Sequence, residues 1–450
     1  MIYLDNNATT TMPPCVIKAM LRWCNMGNAS AGYASAKKSR LMMDSFRSYI
    51  GSMCGINTCC PEERDDTSNN AASKCDPSKY KVIFTSGASE ANSTILGGVV
   101  AAYTHAKGIT PHIVMSAIEH KGLISMAHSL EERQLSTVTY VQPTITGHIT
   151  PESITAAIQP TTCIVCVMHA NNETGAINDV ASIGKIAHSR GVPFHCDTVQ
   201  TFGKFPINPL AADIDSFCVS FHKFRGPPGT GVLVVKQKLL IGYNIQPTIF
   251  GSQNEGYRGG TENLPGIGAS YEALRYNFED RSTKNKNMSA MKTLLLCELS
   301  KVFAMRSYAD YYEACANKKS MPKLELVIFS MPSTQYYNTR SISDDEFITE
   351  SDELYLCNTV LLSVVKKAGK FICNGKLKKY LEERGIVVSV GSACNTASPK
   401  ASHVLYAQGA DKYIRKGTLR ISIGDDNTAE DIIKFVKCFV NAVAVQTRDI

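Results

Sequence analysis

Lys223 stands where an apolar run, 215–231 (DSFCVSFHKFRGPPGTG), gives way to a turn rich in glycine and proline. A lysine there can form a Schiff base if its amine is partly desolvated, and the glycines let backbone approach a bulky group. Taken alone, a lysine after a strand is more commonly a solvated loop residue. Five further segments change that balance. In 193–200 (PFHCDTVQ), Asp197 closes an apolar run, where a carboxylate is costly without a cation or donor. A protonated pyridinium nitrogen is a suitable partner, and Gln200 sits one turn on, able to meet a phenolic oxygen. In 84–92 (FTSGASEAN), a strand, then Ser86, Gly87, Ala88 and Ser89, then a helix, offers N–H groups and hydroxyls to a phosphate. It lacks the Gly-Lys-Ser/Thr of a nucleotide-hydrolysing loop. His120, in 117–121 (AIEHK), follows another apolar run and can stack on a flat ring. Arg420, within 417–424 (GTLRISIG), calls for a buried anion, and a substrate carboxylate matches its planar fork. Cys394, in 387–399 (VVSVGSACNTASP), lies among small and polar residues, where a thiol can reach a substrate and swing away. Phosphate anchor, ring partner and amine together point to pyridoxal 5'-phosphate (PLP) chemistry.

The elements that must hold these residues read as alternating strands and helices. Candidate strands are 81–84, 112–116, 138–141, 163–169, 193–197, 215–220 and 230–235, with helix-length segments clearest at 89–107 and 179–190. This predicts an α/β fold with a mainly parallel seven-stranded sheet covered on both faces. Ligands then bind beyond the carboxyl ends of the strands, where the polar motifs fall. The remainder reads as a smaller α+β unit: a helical stretch at 266–304, strands at 324–330, 359–365, 386–390 and 418–423, and helices near 375–384 and from about 428. Cys163 and Cys166 have redox-motif spacing but sit in a strand run, where residues three apart face opposite ways. Both are read as core packing. Segments 57–79, with Cys59, Cys60 and Cys75, and 333–353 read as inserted surface loops. A metal site from Cys54, Cys59, Cys60 and Cys75 is disfavoured, because no pair has the two-residue ligand spacing.

A chain of 450 residues favours one large and one smaller domain. The net charge of +7 comes from scattered basic residues, which indicates neither a nucleic acid nor a membrane surface as partner. The longest apolar runs, such as 163–168, are too short to span a bilayer. Asp5 interrupts any secretion signal, so the 16 cysteines are expected as reduced thiols in the cytoplasm.

In this order the six segments resemble the NifS/IscS-like cysteine desulfurases of the class V aminotransferase family. The resemblance takes in 3–10 (YLDNNATT), 27–40 (GNASAGYASAKKSR), 113–120 (IVMSAIEH), 168–175 (MHANNETG) and 251–268 (GSQNEGYRGGTENLPGIG), while 271–385 matches only loosely. It implies fold type I of the PLP-dependent transferases, with a large PLP-binding domain at 13–265. Residues 1–12 and 266–450 would form a small domain carrying the catalytic cysteine loop. It implies Lys223 as the Schiff-base lysine, Asp197 as the pyridinium partner, Gln200 as the phenolate contact and His120 as the stacking, proton-exchanging residue. Ala88, Ser89, Ser220 and His222 match phosphate contacts. Thr261 matches one supplied by the neighbouring subunit, which implies a homodimer with shared sites. Asn172 and Arg420 match cofactor or substrate-carboxylate contacts, and Cys394 the persulfide cysteine. The implied reaction turns L-cysteine into L-alanine and passes the sulfur to an acceptor protein of the iron–sulfur scaffold type. No resident metal is implied, although Cys394 could transiently ligate an iron–sulfur cluster. Three residues depart from the pattern. Ser89 replaces a threonine but keeps the hydroxyl, and Phe221, at a usually small position, predicts a reshaped pocket. Tyr33 resembles selenocysteine lyases, which keeps that activity as an alternative. A class V aminotransferase-like or kynureninase-like enzyme that does without Cys394 is another, and a non-enzymatic scaffold a third.

Overall fold

The computed structural model describes residues 1–58, 76, 78–317, 322–332, 354–366, 372–390 and 402–448. Its strands, in chain order, are β1 (Ile2–Tyr3), β2 (Tyr80–Thr85), β3 (His112–Ser116), β4 (Thr137–Val141), β5 (Thr162–Cys166), β6 (Phe194–Asp197) and β7 (Ser216–Ser220). There follow β8 (Gly231–Lys236), β9 (Ala304–Ser307), β10 (Leu324–Ile328), β11 (Thr359–Lys366), β12 (Ile386–Val387) and β13 (Thr418–Ser422).

The seven expected strands form one sheet in the order β2-β8-β7-β6-β5-β3-β4. Strands β3 to β7 run parallel, and β8 is antiparallel to both β7 and β2. The ten residues from Phe221 to Thr230 are too short a link for a parallel crossover. Alternation along each strand serves two cores. Val82, Phe84, Val232 and Val234 join one cluster, while Ile83, Leu233 and Val235 join the other, as a sheet covered on both faces requires. Helices Ala34–Cys54 and Val180–Ser189 cover the first face, and Ala88–Lys107 and Lys121–Glu132 the second.

A second sheet has the order β13-β11-β10-β9. Pairing of β1 with β12 draws Ile2 and Leu4 into its core, beside Leu326, Ile328, Phe435 and Phe439. Three details differ from the sequence reading. The helical stretch at 266–304 is two helices, Leu264–Glu279 and Arg281–Ser300, followed by the unforeseen β9. The first packs on helix Pro14–Cys24 and contributes Leu264, Ile267 and Leu274 to the core of the large sheet. Cys163 and Cys166 do not face opposite ways: the pairing with β3 skips Cys163, between Thr162 and Ile164, and both cysteines sit in one cluster. They are buried thiols, and all twelve described cysteines are unbridged.

Most of 57–79 and all of 333–353 lie outside the described residues, as do Cys59, Cys60 and Cys75. Cys54 is buried in the core, and burial pushes its thiol up to about 12. No cluster of three or more metal-ligating side chains occurs among the described residues. No described helix is long and apolar enough to cross a membrane.

Candidate active site

β7 passes into a single 3-10 turn, Phe221–Lys223. The turn sends Phe221 into the core, with ring centroids 5.4 Å from both Phe46 and Phe224. Phe221 is not among the residues that line the cavity, whereas Lys223 is. Lys223 Nζ donates to the carbonyls of Asn7 (2.9 Å) and Ala8 (2.8 Å). The cavity around it measures about 420 Å³, ample for a phosphorylated pyridine and a small amino acid.

One end of the cavity is the start of helix Ala88–Lys107. Its first residues, Ala88 and Ser89, line the wall with Ser86, Ser220 and His222. Gly87 at the N-cap supplies no side-chain acceptor to the first N–H groups, which leaves this helix end suited to an anion. The backbone there is tightly stacked. A Cβ on Gly231 would come within 2.6 Å of Gly87 Cα, so only glycine lets β8 pass beneath the turn. His222 donates to or accepts from Thr9 Oγ1 at 3.1 Å. Burial first, then Lys223 and His120, press its imidazole down to about 4.

The floor comes from β3, β5 and β6. Asp197, 4% exposed at the end of β6, accepts from Asn92 Nδ2 (3.1 Å) and from the Val199 N–H (3.0 Å). Gln200 donates from Nε2 to the Asn7 carbonyl (3.1 Å), while its buried Oε1 has no partner. His120 caps the helix Lys121–Glu132, its Nδ1 accepting from the Gly122 N–H at 3.2 Å. Beneath it, Glu119 is fully buried. Its Oε1 accepts from Ser116 Oγ (2.5 Å) and the Met168 N–H (2.6 Å). Burial above all, with Asp197 adding to it, pushes this carboxyl up to about 8.

The opposite wall carries Arg420, which has no exposed surface although it lies in mid-strand on β13. Its Nη1 donates to the Asn172 carbonyl (2.8 Å) and its Nη2 to Asp5 Oδ1 (2.7 Å). The buried anion that the sequence called for is thus partly supplied by the chain itself. Asn172 meets Arg420 through its backbone, not its amide.

Comparison with known proteins supplies the decisive observation. A model of the class-V aminotransferases matches residues 72–320. The cysteine desulfurase IscS of Clostridium botulinum is 31% identical over 434 residues, spanning 96% of this chain and 91% of that protein. The chain belongs to the NifS/IscS-like cysteine desulfurases of the class-V aminotransferases. The cysteine desulfurase IscS of Anaeromyxobacter sp. (strain K) is 29% identical over 441 residues, 97% of this chain and 91% of its own. Among solved structures, a NifS-like protein matches with a TM-score of 0.75 at 25% identity, covering 99% of both chains.

Within this desulfurase chain, ten of the residues singled out in the sequence line one cavity: Ala88, Ser89, His120, Asn172 and Asp197, together with Gln200, Ser220, His222, Lys223 and Arg420. Thr261 is exposed and does not belong to that wall. Cys394, with residues 391–401, lies outside the described residues. Tyr33 is exposed and accepts from the Asn28 N–H (3.1 Å), apart from the cavity. Sequence reasoning missed Asp5, Asn7, Ala8 and Glu119. The run YLDNNATT already contained the first three, but nothing in it told which residues would face Lys223.

Proposed function

We propose that this protein is a PLP-dependent cysteine desulfurase that converts L-cysteine into L-alanine and receives the sulfur as a persulfide on Cys394. The observation that carries this reading is the meeting of Lys223, Asp197, His120, a helix N-terminus and Arg420 in one cavity. The donor set fits PLP. The uncapped start of helix Ala88–Lys107, with Ser89, Ser220 and His222, would hold the phosphate. Asp197 would face the ring nitrogen, Gln200 would donate from its side-chain amide nitrogen to the phenolic oxygen, and His120 would lie against the ring. When bound, PLP supplies an electrophilic carbon and an electron sink.

The chain's own residues do the rest. Lys223 would hold the cofactor through its amine and, with that amine free, would take the substrate Cα proton. Arg420 and Asn172 orient the substrate carboxylate. Cys394, as thiolate, attacks the substrate sulfur; a new S–S bond forms while the carbon–sulfur bond breaks. The sulfur then leaves for an acceptor protein of the iron–sulfur scaffold type. Thr261, exposed on its own chain, reaches the site of a second subunit in a homodimer. We assign 13–265 to the cofactor-binding domain, and 1–12 with 266–450 to a small domain. The separate cores of the two sheets support this, although helix Leu264–Glu279 packs across the boundary. The unbridged cysteines favour a cytoplasmic location.

The purified protein should show the visible absorbance of lysine-bound PLP, and cysteine with a reductant should yield equal amounts of alanine and sulfide. Lys223→Ala should lose both the absorbance and turnover, whereas Cys394→Ala should keep the absorbance and lose sulfur release. A strong preference for selenocysteine would overturn the choice of sulfur, and full activity of Cys394→Ala would move the protein to another class V reaction.

A further inference from the structure

Behind Asp197, away from the cavity, three polar side chains run in file through the core. Asn92 Nδ2 lies 3.1 Å from Asp197 Oδ2, Asn92 Oδ1 lies 2.8 Å from His195 Nε2, and His195 Nδ1 lies 2.8 Å from Ser216 Oγ. Asn92 is 1% exposed, and His195 and Ser216 are fully buried. They come from three elements, the helix that begins at Ala88 and the parallel strands β6 and β7. None was singled out by the sequence.

With Asp197 present as a carboxylate anion, the order of donors in this file follows from one group to the next. An ionised carboxylate only accepts, so Asn92 must turn its amide nitrogen toward Asp197. That turns Asn92 Oδ1 toward His195, and His195 must therefore carry its proton on Nε2. His195 Nδ1 is then an acceptor, and the Ser216 hydroxyl must donate to it. Each group's choice fixes the next. Burial also holds the His195 imidazole down to about 4, so the ring stays neutral at physiological pH and one tautomer is retained. An Asn92 released from His195 could rotate and present its oxygen to Asp197, replacing attraction by repulsion.

We propose that His195, locked as its Nε2–H tautomer by Ser216, is a positioning residue that holds Asn92 in the one orientation that supports Asp197 as an anion. The group Asp197 faces is then met by a carboxylate of fixed plane and charge. This inference rests on the reading of Asp197 as the ring partner of PLP, but its first test does not. In protein labelled with 15N-histidine and free of cofactor, His195 should give a protonated Nε2 and an unprotonated Nδ1, unchanged from pH 8 down to about pH 5. A protonated Nδ1 would overturn the relay whatever the protein binds.

The second test uses the PLP-loaded enzyme. His195→Phe fills the space but donates nothing, and should lower kcat by about ten- to a hundredfold while leaving KM for cysteine within about twofold, the range expected for one hydrogen bond to a charged group. PLP should dissociate faster from this variant. His195→Gln, which can restore an N–H toward Asn92, should recover most of kcat. A core role alone predicts the reverse pattern: both variants lose thermal stability, and kcat per bound PLP stays unchanged. That outcome would overturn the proposal while leaving the desulfurase reading intact. Failure of the wild-type protein to bind PLP would overturn that reading and leave the tautomer result standing.

Discussion

Behind the wall of the cavity built from the large sheet lie buried groups held neutral, whereas the wall built from the N-terminal segment and β13 holds a formal ion pair. On the sheet side, His169 and His195 are pressed down to about 4 by burial and Glu119 is pushed up to about 8, so that Asp197 stands among uncharged neighbours. On the other side, Arg420 meets Asp5, and Arg225 nearby pairs with Asp425 and Asp426. Neutral burial lets one carboxylate act without competing charges. The ion pair instead fixes a cation where a carboxylate must be recognised, because a buried guanidinium cannot shed its proton. The two walls should therefore fail differently.

The largest effect is expected from removing the cation. Arg420→Met leaves Asp5 without its counter-charge and the Asn172 carbonyl without this donor. Breaking one partner of such a pair costs about 3 kcal/mol, which urea unfolding would read. KM for cysteine should rise by about a hundredfold if the fork also binds the substrate carboxylate. Asp5→Asn keeps a hydrogen-bond acceptor for Nη2, so it should lose less stability and leave KM closer to wild type. Equal losses in the two variants would mean that Arg420 serves only the fold.

The sheet wall should instead reveal itself through pH. A buried histidine that stays neutral to about 4 binds fewer protons when folded than its unfolded counterpart near 6.5. Stability should accordingly fall as pH drops from about 6.5 toward 4. Glu119 works in the opposite sense. Its carboxyl keeps a proton to about pH 8 when folded but loses it near 4.3 when unfolded. Its stabilising contribution is complete below that lower value and is lost as pH rises to 8, at up to about 1.4 kcal/mol per pH unit. Glu119→Gln retains an acceptor for Ser116 and Met168 and removes the titration. Melting curves of this variant should be flat from pH 6 to 8, where those of the wild type decline. Parallel curves would show that Glu119 is ionised.

The same division explains what could be read in the sequence. Lys223, Asp197 and His120 follow apolar runs directly, so strand periodicity predicts both the strand and the end at which each side chain emerges. All seven strands of the large sheet follow from that rule, and the reversed β8 from the shortness of its link. The opposite wall depends on contacts across most of the chain: Asp5 with Arg420, Asn7 with Thr359 and Gln200, and β1 with β12. No local pattern encodes these pairings. Arg420 was legible as a cation wanting an anion, but not that Asp5 would answer it. His195 and Asn92 were hidden for another reason, since a polar residue inside an apolar run reads as an interruption until its partners on neighbouring elements are known.

The smallest effect lies between the walls, in a cavity of about 40 Å³ lined by Asn6, Lys204, Lys223, Arg225 and Asp425. Part of the Lys204 stem is exposed, but its Nζ is buried without a hydrogen-bond partner, as is Asn6 Oδ1. A cavity of this size holds a water that could bridge the two. Burial brings the Lys204 amine down to about 8, with Arg420 adding to the shift and Cys357 and Asp425 opposing it. The folded state thus binds fewer protons than the unfolded one between about pH 8 and 10.4, and stability should rise with pH across that window. Lys204→Met removes a buried charge whose desolvation is poorly compensated, and should gain about 1 kcal/mol at pH 7. That gain should shrink steadily between pH 8 and 10, as the wild-type amine becomes neutral in the folded state while the unfolded chain still binds its proton. Urea midpoints at pH 7 and pH 10 would measure it. A loss of stability at pH 7 would mean that the ammonium, hydrated within its cavity, is part of what joins the neutral wall to the charged one.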